Sequence, residues 1–520
     1  MNTSITPHAA QRLRVLDFAF PIVNPAHSTL SCFGDLLPNL LENRFFCWQA
    51  GSDFPYPLNA IHNNSLMKSI LTQFSTCMAL VAFVSNVCAA DWPTWRGPNY
   101  DGSTTSDKPL PVKFDQENSV KWKVDLPGMG ASTPIIIGDR IFLSSVEVTD
   151  KKSGKGRLLA LCLNRSDGKV IWKHEAGSGY RPGEGDGNDF QLDSRTTYAS
   201  PSAVSDGDRV IFFFGNGDLV SYDFGGKEQW RRNIQKDYGD FTFQWTFSAT
   251  PTLYDGKLYL AVLQRDEITH GRGKANNPSF LLCMDPANGK TVWKHLRPSD
   301  ARKESLESFG TVIPYEGAGR KELIIAGGDV LTGHDPATGK ELWRWGTWNP
   351  GHREQWWRLV PSPVVGGGVV LACAPKKAPV FAAKLGLKGT HSGKDGLVWE
   401  TSKHPQITSD VPTPLFYKGK FYVLSDLKRA MTRVDPKTGK VEWTTEMPGK
   451  YKWRASPTAA DDKIYVMNHN GEVVVMDTGS GKILHLAKMG ETYDDNTRSS
   501  IAISDGQLFI RANSKLFCIQ

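Results

Sequence analysis

The stretch DPATGKELW, residues 335–343, decides the fold because its ending keeps returning along the chain. DGKVIW ends at Trp172, GGKEQW at Trp230, NGKTVW at Trp293, KDGLVW at Trp399 and TGKVEW at Trp443. A period of roughly 40 to 65 residues is too long for a heptad and fits one multistranded unit of a ring or solenoid. Working outward, each phrase closes a unit that opens on a Ser/Thr-x-Pro or Ser-Pro step. SPSAVSDGDRVIFFFG from Ser200, TPTLYDGKLYLAV from Thr250, TPLFYKGKFYVLS from Thr413 and SPTAADDKIYVMN from Ser456 are the clearest copies. Short β-branched and aromatic runs on either side of a tight polar turn read as antiparallel hairpins. A third run ends on Asp, as in SFLLCMD at Asp285, VLTGHD at Asp335 and EVVVMD at Asp477, and a Gly-Lys turn leads into the strand that carries Trp. Each unit is therefore a four-stranded antiparallel blade.

The openings fall at Pro134, Pro201, Pro251, Pro314, Pro363, Pro414 and Pro457, with a degenerate eighth near Ser499 and Ser500. The eighth unit stops at Gln520 without its Trp strand, whereas SVKWKV, residues 119–124, stands as an orphan Trp strand ahead of the first unit. The expectation is an all-β, eight-bladed propeller in which that N-terminal strand completes the last blade. Closure of this kind removes exposed sheet edges. Trp122, Trp172, Trp230, Trp293, Trp343, Trp399 and Trp443 are then expected to dock blade on blade, with the turn glycines serving the backbone.

The ring accounts for residues 91–520. Upstream, MKSILTQFSTCMALVAFVSNVCAA from Met67 has the basic start, apolar centre and small-residue end of a secretory leader. Residues 67–90 are read as that signal peptide, and 1–66 as an upstream extension outside the fold, a folded N-terminal cap being the alternative. This implies an exported protein, periplasmic or secreted, with no transmembrane span and a monomeric ring. Cys162, Cys283 and Cys518 occupy equivalent third-strand places, too far apart between blades to bridge. With Cys373 they are expected as buried thiols.

Composition excludes several functions. A formal charge of +7 spread over 520 residues gives no basic stripe for nucleic acid. There is no C-x-x-C, no haem attachment motif and no nucleophile elbow. The acidic run GEGDGND from Gly183 lacks the spacing and terminal Glu of a calcium loop. The Gly-Lys turns join strands and precede no helix that would bind phosphate.

Loop lengths separate the two faces of the ring. Turns between first and second, and third and fourth, strands are minimal except around 386–396. The stretches 174–199, 231–248, 264–279, 294–309 and 344–361 are long, which marks the opposite face as the working one. Just ahead of the innermost strands stand Arg195, Trp245, Arg358, Arg454 and Arg498, with Tyr198, Trp348, Trp356, Trp357 and Trp453. If the first strands line the channel, those arginines converge at its mouth and offer forked hydrogen bonds to a planar or anionic ligand. The competing reading pairs them with loop acids such as Asp186, Asp189, Glu354 and Asp494.

The units resemble the pyrroloquinoline quinone (PQQ) enzyme repeat, DPATGKELW and DPKTGKVEW most closely, over residues 119–520. DWPTWRGPNYDG from Asp91 is similar to the mature N-terminus of exported PQQ-like propellers. The resemblance implies the fold directly and leaves two functions open. One is a non-catalytic scaffold like the eight-bladed lipoprotein of outer-membrane assembly, although no lipid-attachment box surrounds Cys77 or Cys88. It binds a protein partner or envelope polymer on the long-loop face and needs no assigned cofactor. The alternative is a PQQ- and calcium-dependent dehydrogenase of alcohols or sugars. The family's alcohol dehydrogenases imply an adjacent cysteine pair and a calcium held by Glu, Asn and Asp. The sequence has no such pair, and no catalytic or metal residue is placed.

Overall fold

In the computed structural model, residues 91–150, 155–180, 197–317, 319–346, 348–491 and 497–520 are described. Eight antiparallel sheets follow one another in chain order, at residues 135–178, 204–233, 252–296, 313–346, 364–400, 415–446, 458–488 and 502–519. These are blades 1 to 8. The orphan strand β1 (Val120–Asp125) pairs antiparallel with Lys515–Ile519, with Trp122 opposite Cys518, and supplies the fourth strand of blade 8. The all-β, eight-bladed ring is therefore closed by its N-terminal strand.

Burial within a blade explains the sequence pattern. Middle strands such as Lys257–Val262 and Phe280–Met284 are buried on both faces, because each sheet is sandwiched between neighbouring blades. They read as continuous apolar runs. Outer strands such as Val441–Glu446 alternate between half-buried and exposed, matching the two faces of a pleated strand. The apolar core is a series of inter-blade clusters, for example one joining Phe142 and Trp172 of blade 1 to Phe212 and Tyr222 of blade 2. The closing cluster unites Trp92, Phe114 and Trp122 with blades 7, 8 and 1.

Trp rings and turn glycines meet across blade boundaries. Trp399 Nε1 donates to the Pro436 carbonyl of the next blade at 2.7 Å, and a Cβ on Gly439 would stand 2.8 Å from the Trp399 ring. Trp122, Trp172, Trp230, Trp293 and Trp443 likewise donate to a backbone carbonyl of the following blade. Trp343 differs, for its Nε1 donates to Glu322 within its own blade. Trp345 docks instead, donating to Gly393 at 3.2 Å. The cause is the long connection at 386–396, whose strand Gly389–Ser392 adds in parallel to the outer edge of blade 4 and makes it five-stranded. Cys162, Cys283, Cys373 and Cys518 are buried free thiols.

The acidic run from Gly183, like residues 1–66 and 67–90, lies outside the described residues. Among those described, no helix is long and apolar enough to cross a membrane.

Candidate functional site

Each blade enters its innermost strand through a hydroxyl residue two places ahead of it: Thr133, Ser202, Thr250, Thr311, Ser362, Thr413, Ser456 and Ser500. The backbone N–H of one donates to the hydroxyl oxygen of the next around the ring. Seven such inter-blade links run Thr133 to Ser202, Ser202 to Thr250, Thr250 to Thr311, Thr311 to Ser362, Ser362 to Thr413, Thr413 to Ser456 and Ser500 to Thr133, at 2.8–3.2 Å. A belt of hydroxyls thus satisfies backbone donors that the sheets leave unpaired at the channel wall. In Thr133, Thr250, Ser362, Thr413 and Ser456 the belt residue is the one before the opening proline, whereas Ser202 follows its proline and Thr311 and Ser500 are followed by Val312 and Ile501.

One end of the channel is stopped by residues 91–104. Trp92 bridges Ile136 of blade 1, and Ser205 N of blade 2 donates to the Pro93 carbonyl at 3.2 Å. On the far side of the ring, Asp101 O accepts from Phe416 N, and Gly102 O from Ala459 N. Beneath the segment, fully buried Arg96 donates to the carbonyls of Pro414, Pro457 and Asp101 at 2.9–3.0 Å. Burial pushes the Arg96 guanidinium down to about 10, still cationic at neutral pH. Trp95 stands over it, 5.6 Å from guanidinium carbon to ring centroid.

Above this floor, at the long-loop end, lies a cavity of about 250 Å³. Its wall includes Trp95 and residues of every blade: Ala131, Ser202, Thr250, Phe309, Arg358, Val411, Ser456 and Ser500, together with Trp245, Arg454 and Arg498. Four of the five residues singled out by sequence, Trp245, Arg358, Arg454 and Arg498, therefore face one space. Arg195 lies outside the described residues. Trp245 is set by its neighbour, since Gln244 N donates to the fully buried carboxylate of Glu307 at 2.6 Å, which also holds Arg265. Of the surrounding aromatics, Trp348 and Trp453 are buried in the core, and Trp356 is 51 % exposed on the long-loop face.

Two of the arginines, Arg358 and Arg454, meet acids other than those named from sequence. Arg358 forks onto Asp410, Nη1 to Oδ1 at 3.0 Å and Nη2 to Oδ2 at 3.1 Å. Burial opposes ionisation of Asp410, yet the Arg358 hydrogen bonds hold it below the usual carboxylate range. Arg454 engages Asp426 through Nε at 2.9 Å. Its two terminal nitrogens form no hydrogen bond with the described residues. Asp186, Asp189 and Asp494 lie outside those residues, and Glu354 uses its backbone carbonyl to accept from Ser305.

Two features were missed from sequence. The sequence places Trp95 in the DWPTWRGPNYDG segment without pointing to the channel, and it presents the belt hydroxyls only as neighbours of the strand openings. The recurrence of Ser or Thr at a fixed distance before each inner strand was the available signal for the belt. Arg511 was also unforeseen. Fully buried in blade 8, it donates to the Ser132 hydroxyl and the Ser144 carbonyl, both at 2.6 Å, beside cavity-lining Ala131. Burial alone moves it, down to about 9.

The donor set also tests the quinone and calcium that the repeat implies. Among the described residues the cavity wall has no Asp, Glu, Asn or Gln, and no group of three or more His, Cys, Asp and Glu is placed to hold a metal. Asp410 and Asp426 behind the wall are committed to arginines. Calcium needs several oxygen ligands including carboxylates, so these residues do not fit a calcium-bound quinone.

The fold and cavity define an eight-bladed propeller with a blind, cationic channel mouth. The chain belongs to the family described as outer membrane protein assembly factor BamB, which matches residues 103–265, 163–386 and 386–520. A polyvinylalcohol dehydrogenase from Pseudomonas sp is 26 % identical over 180 residues, covering 34 % of this chain and 24 % of that protein. This chain thus matches about a quarter of that relative's length. Among solved structures, BamB from Moraxella catarrhalis superposes with a TM-score of 0.53 at 13 % identity, over 76 % of this chain and 98 % of that one. The quinohemoprotein alcohol dehydrogenase from Comamonas testosteroni gives 0.54 at 14 % identity, over 82 % and 80 %. At these identities the likeness is one of fold.

Proposed function

We propose that this chain is an exported, non-catalytic binding or scaffolding propeller that holds a protein partner or an envelope polymer against its long-loop face. The channel mouth, with Trp245, Arg358, Arg454 and Arg498, is its ligand site, and Arg195 belongs to the same set. The observation that carries the reading is the chemistry of the cavity wall: guanidiniums, hydroxyls and aromatic rings, with no side-chain carboxylate among the described residues to act as base or metal ligand. The leader read at 67–90 supports export, and membership of a family that includes an assembly factor supports a scaffold.

A second reading, a PQQ- and calcium-dependent dehydrogenase of alcohols or sugars, is favoured by the similarity to polyvinylalcohol dehydrogenase. It is weakened by the absence of acids from the wall among the described residues.

The face assignment is tested by photo-crosslinking in envelope extracts. A benzophenone side chain at Trp356 on the long-loop face should capture a partner, and one at exposed Lys418 in a minimal turn should not. Capture from Lys418 with none from Trp356 would reverse the assignment.

A further inference from the structure

We propose that the channel-mouth cavity is an oxyanion receptor, closed at its far end by residues 91–104, in which Arg454 and the hydroxyls of Ser202, Thr250 and Ser456 donate to a carboxylate, phosphate or sulfate group. The inference rests on the reading of this cavity as the ligand site and names the chemistry it selects.

Hydrogen-bond accounting carries it. The Ser202, Thr250 and Ser456 oxygens each accept a backbone N–H from the preceding blade. None has an acceptor for its own hydrogen among the described residues, so each has a proton to donate. The Thr246 hydroxyl, on the same wall and only 4 % exposed, has no hydrogen-bond partner among the described residues. Arg454 adds two terminal nitrogens, because only its Nε is used by Asp426. A space with donors on several sides and, among the described residues, no side-chain carboxylate is matched by a group that brings several acceptors and negative charge.

Electrostatics points the same way. Arg96 under the floor is held by three carbonyls, and Arg511 behind the wall by serine oxygens and backbone carbonyls. Neither guanidinium forms an ion pair with a carboxylate among the described residues. Buried charge without a partner is costly, and its field reaches into the cavity. The floor matters because it makes the channel blind. Trp95 covers the Arg96 site, leaving the long-loop mouth as the way in.

The test is calorimetric titration of the full chain with sodium sulfate, phosphate and acetate, at fixed ionic strength in chloride, since sulfate and phosphate also stabilise proteins by exclusion. Saturable binding of at least one anion is expected, weakened about tenfold or more in Arg454→Gln. The anion that binds identifies the source of the oxygen group. No saturable binding by any of the three overturns the proposal, as does equal affinity in wild type and Arg454→Gln. Should Arg454→Gln fail to fold, Trp95 emission, taken as the difference between wild type and Trp95→Phe, must change with the same titration. An unchanged difference overturns the proposal. A calcium-dependent response to PQQ would instead count against the non-catalytic reading, so the two failures are distinguishable.

Discussion

Asp435 shows how much a single repeat residue does. Its Oδ1 accepts from the backbone N–H of Lys437 and Thr438 and from the Thr438 hydroxyl, and its Oδ2 accepts from Lys420 Nζ at 2.9 Å. The Lys420 hydrogen bond first, and the Thr438 bonds after it, hold the carboxyl down to about 2. Asp477 sits below the usual range too, through the hydroxyl and N–H of Ser480. A carboxyl depressed on folding adds stability above its unfolded value, near 4, and loses it as pH falls through the folded one. Urea unfolding should therefore show stability dropping between about pH 4 and pH 2. Asp435→Ala should cost about 1 kcal/mol at pH 7 and flatten part of that drop. An acid limb as steep in the variant as in wild type would refute this role. The Asp-x-x-x-Gly-Lys spacing was readable because turn chemistry is local. Arg511 was not, since its partners Ser132 and Ser144 lie in the adjacent blade 1 but at the far end of the sequence.

At the scale of elements, the Trp strand and the following turn act as a pair. Gly439 and Gly419 have nearly equal left-handed φ, 71° and 72°, but a Cβ on Gly439 would meet the Trp399 ring at 2.8 Å, whereas nothing lies within 4 Å of one on Gly419. Both Ala substitutions carry the backbone cost of about 1–2 kcal/mol. Gly439→Ala should lose about 1–3 kcal/mol more, from overpacking of the docked ring. Equal losses in denaturant unfolding would show that docking does not depend on this contact. Blade number, strand order and the closing strand were legible because each is carried by a repeated local phrase. The exchange of Trp343 for Trp345 was not. It depends on a strand from blade 5 reaching the edge of blade 4, which no periodicity in either segment encodes.

For the whole molecule, stability and site depend on the same closure. Trp122 is 8 % exposed and donates to the Arg165 carbonyl of blade 1 at 2.9 Å, so it fastens the N-terminal strand of blade 8 to the first blade. Trp122→Ala should cost about 3–5 kcal/mol, and hydrogen exchange should rise first in blades 8 and 1. Loss of protection confined to Val120–Asp125 would mean that the seam is not under shared load. The convergence of Trp245, Arg358, Arg454 and Arg498 could be anticipated once the first strands were taken to line a channel. Their counter-ions and the Trp95 floor could not: Asp410 and Asp426 come from neighbouring blades with no motif to mark the pairing, and the floor contacts link segments more than 300 residues apart. What the described residues present at the mouth of the ring is a donor-rich cup with no carboxylate on its wall. The most direct test of that claim is the melting temperature of the full chain with Ca²⁺, with PQQ, and with both, before and after EGTA. The account predicts that Ca²⁺ adds nothing in the presence or absence of PQQ. A saturable rise that requires Ca²⁺ and is reversed by EGTA would contradict it.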